Sequence, residues 1–163
     1  MNVMFAYALY KRGFAKQGFE VLDSIYNMCM NTNSSKIYPG LPEYFNNEGR
    51  GMYHYLTGSA SWFVLTMLTE VFGVRGDMGD LVIDPKLVKE QFKKSKKVSI
   101  DTHFAGRAIT VNYLNPKKLD YGKYKVSKVK INGEIVKEMP IYRKVFLNLT
   151  SKTSKNIIDV TLN

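Results

Sequence analysis

Cysteine is nearly absent from this 163-residue chain, which contains only Cys29. A single thiol excludes an internal disulfide framework and is typical of proteins from a reducing compartment. Cys29 lies among apolar residues, and nothing in the sequence around it is electropositive, so we expect it to pack in the core rather than to react. The low cysteine content therefore predicts a cytoplasmic protein.

Long apolar runs are also absent. No run approaches the roughly 20 residues that a membrane-spanning helix needs, and the N-terminus lacks the ordered features of a secretory signal. Hydrophobic residues nevertheless make up 45% of the chain, which is enough for a packed core. We therefore expect a folded protein with no membrane partner.

Acidic residues are scarce: 14 Asp and Glu stand against 24 Lys and Arg, which gives a net charge of +10. Most of the excess follows residue 76, where lysines alternate with apolar residues and indicate the solvated face of a sheet. The one tight basic cluster lies in a predicted connector. We therefore expect no nucleic-acid partner. The cluster comprises Lys93, Lys94, Lys96 and Lys97.

Two kinds of periodicity meet near residue 76. Before it, apolar residues at helical spacing predict helices over 3–10, 14–30 and about 59–72. Gly73 is placed to cap the third helix. Three helices cannot bury their apolar faces as an independent bundle. Either they pack on the second half of the chain or they are part of a larger helical domain, and we favour the second alternative.

After residue 76 the period changes to two, which predicts an antiparallel β-sandwich. The Asn132-Gly133 pair, flanked by alternating apolar residues, predicts a type I′ hairpin turn. The predicted strands are 80–85, 98–104, 108–113, 123–131, 134–137, 145–149 and 157–162.

Residues 36–58 form a long predicted loop. Pro39, Pro42 and its glycines exclude regular helix over most of it. Its many aromatic residues argue against disorder, and long ordered loops are usually functional. Because sugars present flat CH faces that stack on aromatic rings, the loop is a candidate carbohydrate-binding surface.

The segment Thr57-Gly58-Ser59-Ala60-Ser61 lies where this loop turns into the third predicted helix. The first turn of a helix has unpaired N–H groups and a partial positive charge, so hydroxyls and a glycine there make a competent anion site. Arg50 could add a fixed charge. An ordinary N-cap is the equally weighted alternative, since Ser and Thr favour that position.

These motifs resemble glycoside hydrolase family 94, the cellobiose and cellodextrin phosphorylases. The resemblance implies an α+β protein in which residues 1–76 are the last helices of an (α/α)6 barrel. Residues 77–163 would then form an antiparallel β-sandwich of jelly-roll type. The segments that carry the resemblance are 38–45, 49–62, 68–76 and 79–87.

The resemblance also implies a reaction. Inorganic phosphate is the co-substrate and takes the place of the activated water of an inverting hydrolase. It attacks the anomeric carbon of a β-linked glucoside and yields α-glucose 1-phosphate with inversion. The family's Thr-Gly phosphate contact corresponds to Thr57 and Gly58, and the local sequence adds Ser59.

The family's general acid is an Asp that lies farther upstream of this pair than the present chain extends. No catalytic residue is therefore assigned, and we expect the chain alone to be inactive. No metal or organic cofactor is implied, and the full-length protein is expected to form a homodimer.

Four further residues are weaker candidates for binding the oligosaccharide. Glu43 could accept hydrogen bonds from sugar hydroxyls, or it could be a surface carboxylate. Tyr53 and His54 could line the site or simply pack, and Arg50 belongs to the same loop. Two other functions stay open: a hydrolase or transferase on the same scaffold, and a carbohydrate-binding β-module.

Overall fold

The computed structural model describes residues 2–37, 40–55, 58–92 and 95–163. These residues have the predicted α+β composition. They form two compact units, Met1–Val71 and Phe72–Asn163. The predicted domains 1–76 and 77–163 stay a prediction, and the strand Val74–Asp77 spans their common boundary.

The first unit is mainly helical, and the three predicted helices are confirmed. A fourth, single-turn helix follows the second, and the last helix ends in a π-helical turn, Met67–Val71. The helices are α1 (Asn2–Lys11), α2 (Ala15–Met30), α3 (Thr32–Ser35) and α4 (Gly58–Thr66).

Helix α1 packs against both α2 and α4. Its fully buried Tyr10 lies against α2 at Gly18, where the Cβ of any larger residue would come within 2.6 Å of the tyrosine ring. Glycine at this position therefore permits the two helices to approach closely. Burial also holds Cys29 of α2 in the core and raises the pKa of its thiol, in keeping with the predicted packing role.

An ion pair joins the end of α1 to the π-helical turn that follows α4. Lys11 Nζ lies 3.1 Å from Oε1 of Glu70, a residue of which only 1% of the side chain is exposed. The hydrogen bond and the negative charge of Glu70 raise the pKa of Lys11. The lysine thus offsets the cost of burying a carboxylate.

The loop between α3 and α4 contains a small hairpin that the periodicity did not predict. Its strands are β1 (Tyr44–Phe45) and β2 (Gly51–Met52), which pair antiparallel. Asn46 closes the turn, because its Oδ1 accepts hydrogen bonds from the backbone N–H groups of Glu48 and Arg50.

The second unit contains seven strands in its described residues: β3 (Val74–Asp77), β4 (Asp80–Ile83), β5 (Lys97–Phe104), β6 (Arg107–Leu114), β7 (Val126–Ile131), β8 (Glu134–Val136) and β9 (Asn156–Leu162). Strands β3 and β4 form a separate hairpin, which is followed by a short 3-10 helix, Lys89–Phe92. The other strands form one five-stranded sheet with the order β5-β6-β9-β7-β8.

Most predicted strands are confirmed, and so is the turn between β7 and β8. Asn132 and Gly133 both have positive φ, 48° and 93°, as a type I′ turn requires. One expected feature is wrong: β6 and β9 pair in parallel, so the sheet is mixed rather than antiparallel. The (α/α)6 barrel and the jelly-roll sandwich stay predictions.

A second expectation is also wrong. Residues 145–149 are not a strand but belong to helix α5 (Arg143–Leu149). The carboxylate of Asp80 accepts a hydrogen bond from the Arg143 N–H at 2.7 Å, which satisfies one unpaired donor of the first helical turn. Phe146 is fully buried and meets the ring of Phe104 edge-on at 5.1 Å.

Tyr113 lies on the buried face of the sheet, and its hydroxyl donates a hydrogen bond to the Phe72 carbonyl. Burial raises the pKa of Tyr113 above its ordinary value of 10. In the unfolded chain this phenol ionises near pH 10, whereas the folded chain keeps its proton. The stability that Tyr113 contributes is therefore present below pH 10 and is lost as the pH rises above it.

We expect the free energy of unfolding to decrease above pH 10, and to decrease less steeply in the Tyr113→Phe variant. The two slopes should differ by up to about 1.4 kcal/mol per pH unit. At neutral pH the variant should be about 1 kcal/mol less stable, because it lacks the hydrogen bond. Urea unfolding between pH 8 and 11.5 measures both effects. Tyr142→Phe, at an exposed tyrosine, is the control. Parallel pH curves for wild type and Tyr113→Phe would contradict the expectation.

Candidate functional site

The predicted anion motif lies at the start of helix α4. In the described part of the chain the helix starts at Gly58, within the segment 57–61 where the sequence placed the change from loop to helix, and its first turn carries no acidic residue. Thr57 lies outside the described residues. Ser59 is buried in the first turn, so its N–H is one of the donors that a helix leaves without an intrahelical partner.

Glu43 meets this helix end. Its Oε2 accepts a hydrogen bond from the Ser59 N–H at 3.1 Å, and its carbonyl oxygen accepts one from Ser59 Oγ at 3.1 Å. Both carboxylate oxygens lie 3.8 Å from the point where Gly58 would carry a Cβ. The structure thus brings together three residues that the sequence assigned to two different ligands, sugar and phosphate.

This contact is electrostatically favourable, because a carboxylate beside a helix N-terminus interacts with the positive end of the helix dipole. It also engages both donors of Ser59. A phosphate can reach the Ser59 amide or hydroxyl only by displacing Glu43. Gly58 and the sequence-predicted Thr57 are therefore the members of the motif to consider for an incoming anion.

Two pockets adjoin the contact, and Glu43 and Ser59 line both. The larger has a volume of about 400 Å³, within the range of small-molecule sites, and extends between Val3 and Ile25 and the strand residues Tyr44 and Phe45. The smaller, about 90 Å³, is also lined by Gly58 and Trp62. An elongated ligand with an anionic end could occupy both pockets.

The other predicted binding residues lie away from these pockets. Arg50 closes the β1–β2 turn through its backbone, and its side chain is exposed. Tyr53 is 68% exposed, and His54 is exposed as well. None of these three residues lines either pocket. Trp62 is partly buried, and its ring packs edge-on against that of Tyr7, with 5.2 Å between the ring centroids.

Sequence reasoning missed the capping role of Glu43. The available signal was the composition of the first turn of α4, which contains hydroxyls but no Asp or Glu. Such a turn leaves donors for a carboxylate from elsewhere in the chain. The sequence reasoning also missed that Val3 and Met4 of α1 line the smaller pocket. Apolar residues at helical spacing indicate by themselves only that the helix packs on a core.

No family model matches the chain, and no curated protein matches its sequence. Within the described ranges, no group of three or more His, Cys, Asp or Glu side chains is arranged to hold a metal ion. None of the helices in the described part of the chain has the length and apolar character of a membrane-spanning helix.

Proposed function

We propose that this chain is part of an inverting glycoside phosphorylase, which cleaves β-linked glucosides with inorganic phosphate and releases α-glucose 1-phosphate. The observation that supports this best is the contact between Glu43 and Ser59. It joins the aromatic loop, the candidate sugar surface, to the helix start that carries the candidate phosphate residues.

The proposed role of this chain is to hold the phosphate. Thr57 supplies a hydroxyl and Gly58 a backbone N–H beside the positive end of the α4 dipole, an arrangement that suits an oxyanion. Gly58 has no side chain, so an oxygen can approach its amide closely. Ser59, whose donors bind Glu43, is left out of the proposed phosphate contacts.

In the proposed reaction, a phosphate oxygen attacks the anomeric carbon from the face opposite the leaving group. The bond to the leaving oxygen breaks as a general acid protonates it, so the product has the opposite anomeric configuration. The acid is not assigned to any residue of this chain. The protein supplies position and charge to the phosphate, which is itself the nucleophile.

The larger pocket is proposed to take part of the carbohydrate. Tyr44 and Phe45 from β1 offer rings, and Asn46 offers an amide. Apolar surface with a few polar groups is the usual lining of a small-molecule site. Cytoplasmic location, a β-linked oligosaccharide substrate and a homodimeric full-length protein belong to the same proposal.

Phosphate binding by the 163-residue chain tests the proposal. Calorimetric titration with inorganic phosphate at constant ionic strength should give saturable binding, and Thr57→Val should weaken it about tenfold, the effect of losing one hydrogen bond to a charged ligand. The matched control is Thr69→Val, because the Thr69 hydroxyl bonds only locally, to the Leu65 carbonyl. Absence of saturable binding in the unchanged chain, or equal affinity in the two variants, would count against the phosphate site.

A further inference from the structure

Strand β5 forms one edge of the five-stranded sheet. In the described part of the chain it pairs only with β6, over the eight residues of the strand and without a register shift. Proteins usually protect such an edge by a short strand, a proline or a bulge. Strand β8, at the opposite edge, is only three residues long. Strand β5 is long and regular and contains no proline, so its outer edge is open to a further strand.

The turn between β5 and β6 fixes which backbone groups point outward. Ala105 and Gly106 both have positive φ, 47° and 72°, as in a two-residue type I′ turn. Hydrogen-bonded and non-hydrogen-bonded pairs alternate along an antiparallel ladder that such a turn closes. The even-numbered residues of β5 therefore bond to β6, and the odd-numbered ones turn their N–H and C=O groups outward. The outward-facing residues are Lys97, Ser99, Asp101 and His103.

The side chains of β5 also suit a further strand. Val98 and Ile100 lie on the core side of the sheet but are only half-buried, whereas Val111, the partner of Ile100 on β6, is fully buried. A strand added at this edge would cover the exposed parts of Val98 and Ile100, which is favourable because it removes apolar surface from water. It would also supply partners for the outward backbone groups.

We propose that the occupant of this edge is β5 of a second copy of the chain, which pairs antiparallel about a two-fold axis at Ser99. The inference rests on the proposed function only for the expectation of a homodimer. In this register Lys97 lies opposite Asp101 of the partner subunit, and Val98 lies opposite Ile100 of the partner subunit. Each contact occurs twice, because the two copies use the same surface.

Charge complementarity selects this register. An axis at Asp101 would place two carboxylates directly opposite each other, and like charges in that position are destabilising. An axis at Ile100 would pair Lys97 with His103 and would bring no opposite charges together. Only the axis at Ser99 pairs a lysine with a carboxylate at both ends of the contact.

The groups that would meet across the axis can accommodate it. The Thr110 hydroxyl and Lys155 Nζ both contact Oδ1 of Asp101, at 2.7 and 3.0 Å, so Oδ2 can accept from Lys97 of the partner subunit. The Lys97 N–H donates to the hydroxyl of the exposed Ser95 at 3.0 Å. The carbonyl of the partner's Asp101 would replace that local acceptor.

Replacing Ser99 by proline tests the edge. Proline is tolerated in an edge strand where the N–H faces solvent, so Ser99→Pro removes the outward donor and leaves the pairing with β6 intact. Ser99→Ala is the matched control, because both variants lose the hydrogen bond from Ser99 Oγ to Asn112 Oδ1 and only the proline loses the N–H.

Sedimentation equilibrium of the 163-residue chain, without phosphate or sugar, measures the association. A salt concentration of about 0.15 M screens the general repulsion between two chains of net charge +10. We expect the unchanged chain and Ser99→Ala to dimerise with dissociation constants within about threefold of each other. Dimerisation of Ser99→Pro should be at least about tenfold weaker.

A charge exchange tests the register. Asp101→Lys places lysines opposite each other at both ends of the contact and should weaken dimerisation at least about tenfold. The double variant Lys97→Asp/Asp101→Lys restores opposite charges, so its dissociation constant should return to within about threefold of that of the unchanged chain. Both variants lose the contact between Asp101 and Lys155, so that loss does not distinguish them.

Each outcome decides one point. An unchanged chain that is monomeric at every concentration contradicts the proposal, and so does a dimer that is equally stable in Ser99→Pro and Ser99→Ala. If far-UV circular dichroism shows Ser99→Pro to be unfolded, the charge exchange decides, and a double variant that stays as weak as Asp101→Lys contradicts the pairing. A chain that dimerises as expected but binds no phosphate contradicts only the proposed function.

Discussion

Replacing Gly73 by alanine is expected to lower the free energy of unfolding of the second unit by about 3 kcal/mol or more. Gly73 has a φ of 65°, and a Cβ there would overlap the backbone carbonyl of Asp84 and lie 2.6 Å from Pro85 N. Backbone atoms cannot rotate away as a side chain can. The Asp84 N–H also donates to the Gly73 carbonyl at 2.9 Å, so any shift strains that bond.

The control for this substitution is Gly79→Ala. Gly79 also has positive φ, 92°, but a Cβ there would meet no atom within 4 Å. Gly79→Ala therefore carries the backbone strain alone, about 1 kcal/mol. Urea unfolding followed by far-UV circular dichroism measures both. A similar loss of stability in the two variants would show that the close approach of residues 73 and 84 is not what makes Gly73 necessary.

Phe146→Ala is expected to destabilise the second unit by about 3–5 kcal/mol. The ring is fully buried and packs edge-on against Phe104 of β5, so its removal leaves a cavity between α5 and the sheet. The measurement is the shift in the midpoint of urea unfolding. The slope of the unfolding free energy against urea concentration should stay unchanged.

Val145→Ala, the neighbouring substitution, tests the secondary structure of the same segment. Val145 is 38% exposed, and alanine is the better helix former, so in helix α5 the change should cost less than about 1 kcal/mol. In a strand, losing a β-branched residue would lower stability instead. A loss of stability in Val145→Ala as large as that in Phe146→Ala would contradict the assignment of this segment to a helix.

The position of Glu43 changes how the anion motif should be interpreted. A helix start rich in hydroxyls fits both a ligand site and a cap, and here part of it is capped from within the chain. Under the proposed function, Ser59 becomes available to a phosphate only where the ligand displaces the Glu43 carboxylate.

The fold was predictable where a pattern depends on near neighbours in sequence. The stripes of α1 and α2, the alternation in β5 and β6, and the Asn132-Gly133 turn each follow from backbone geometry over a few residues. These features hold whatever surrounds them.

The segment 145–149 shows where that reasoning fails. Its apolar residues fit a strand or a helix, because a short apolar run has no decisive period. Contacts with residues distant in sequence stabilise the helix here. The Asp80 carboxylate, 63 residues away, accepts a hydrogen bond from the Arg143 amide, and the ring of Phe104 packs against that of Phe146.

The sequence alone determined the helices α1, α2 and α4 and the alternating strands β5 and β6, since these depend on interactions between near neighbours in the chain. Only the tertiary structure decided that β9 runs parallel to β6, and that Glu43 reaches Ser59 across sixteen residues. Such pairings depend on how buried surfaces fit together. Local propensity carries no information about that fit, because the same short segment can meet many different partners.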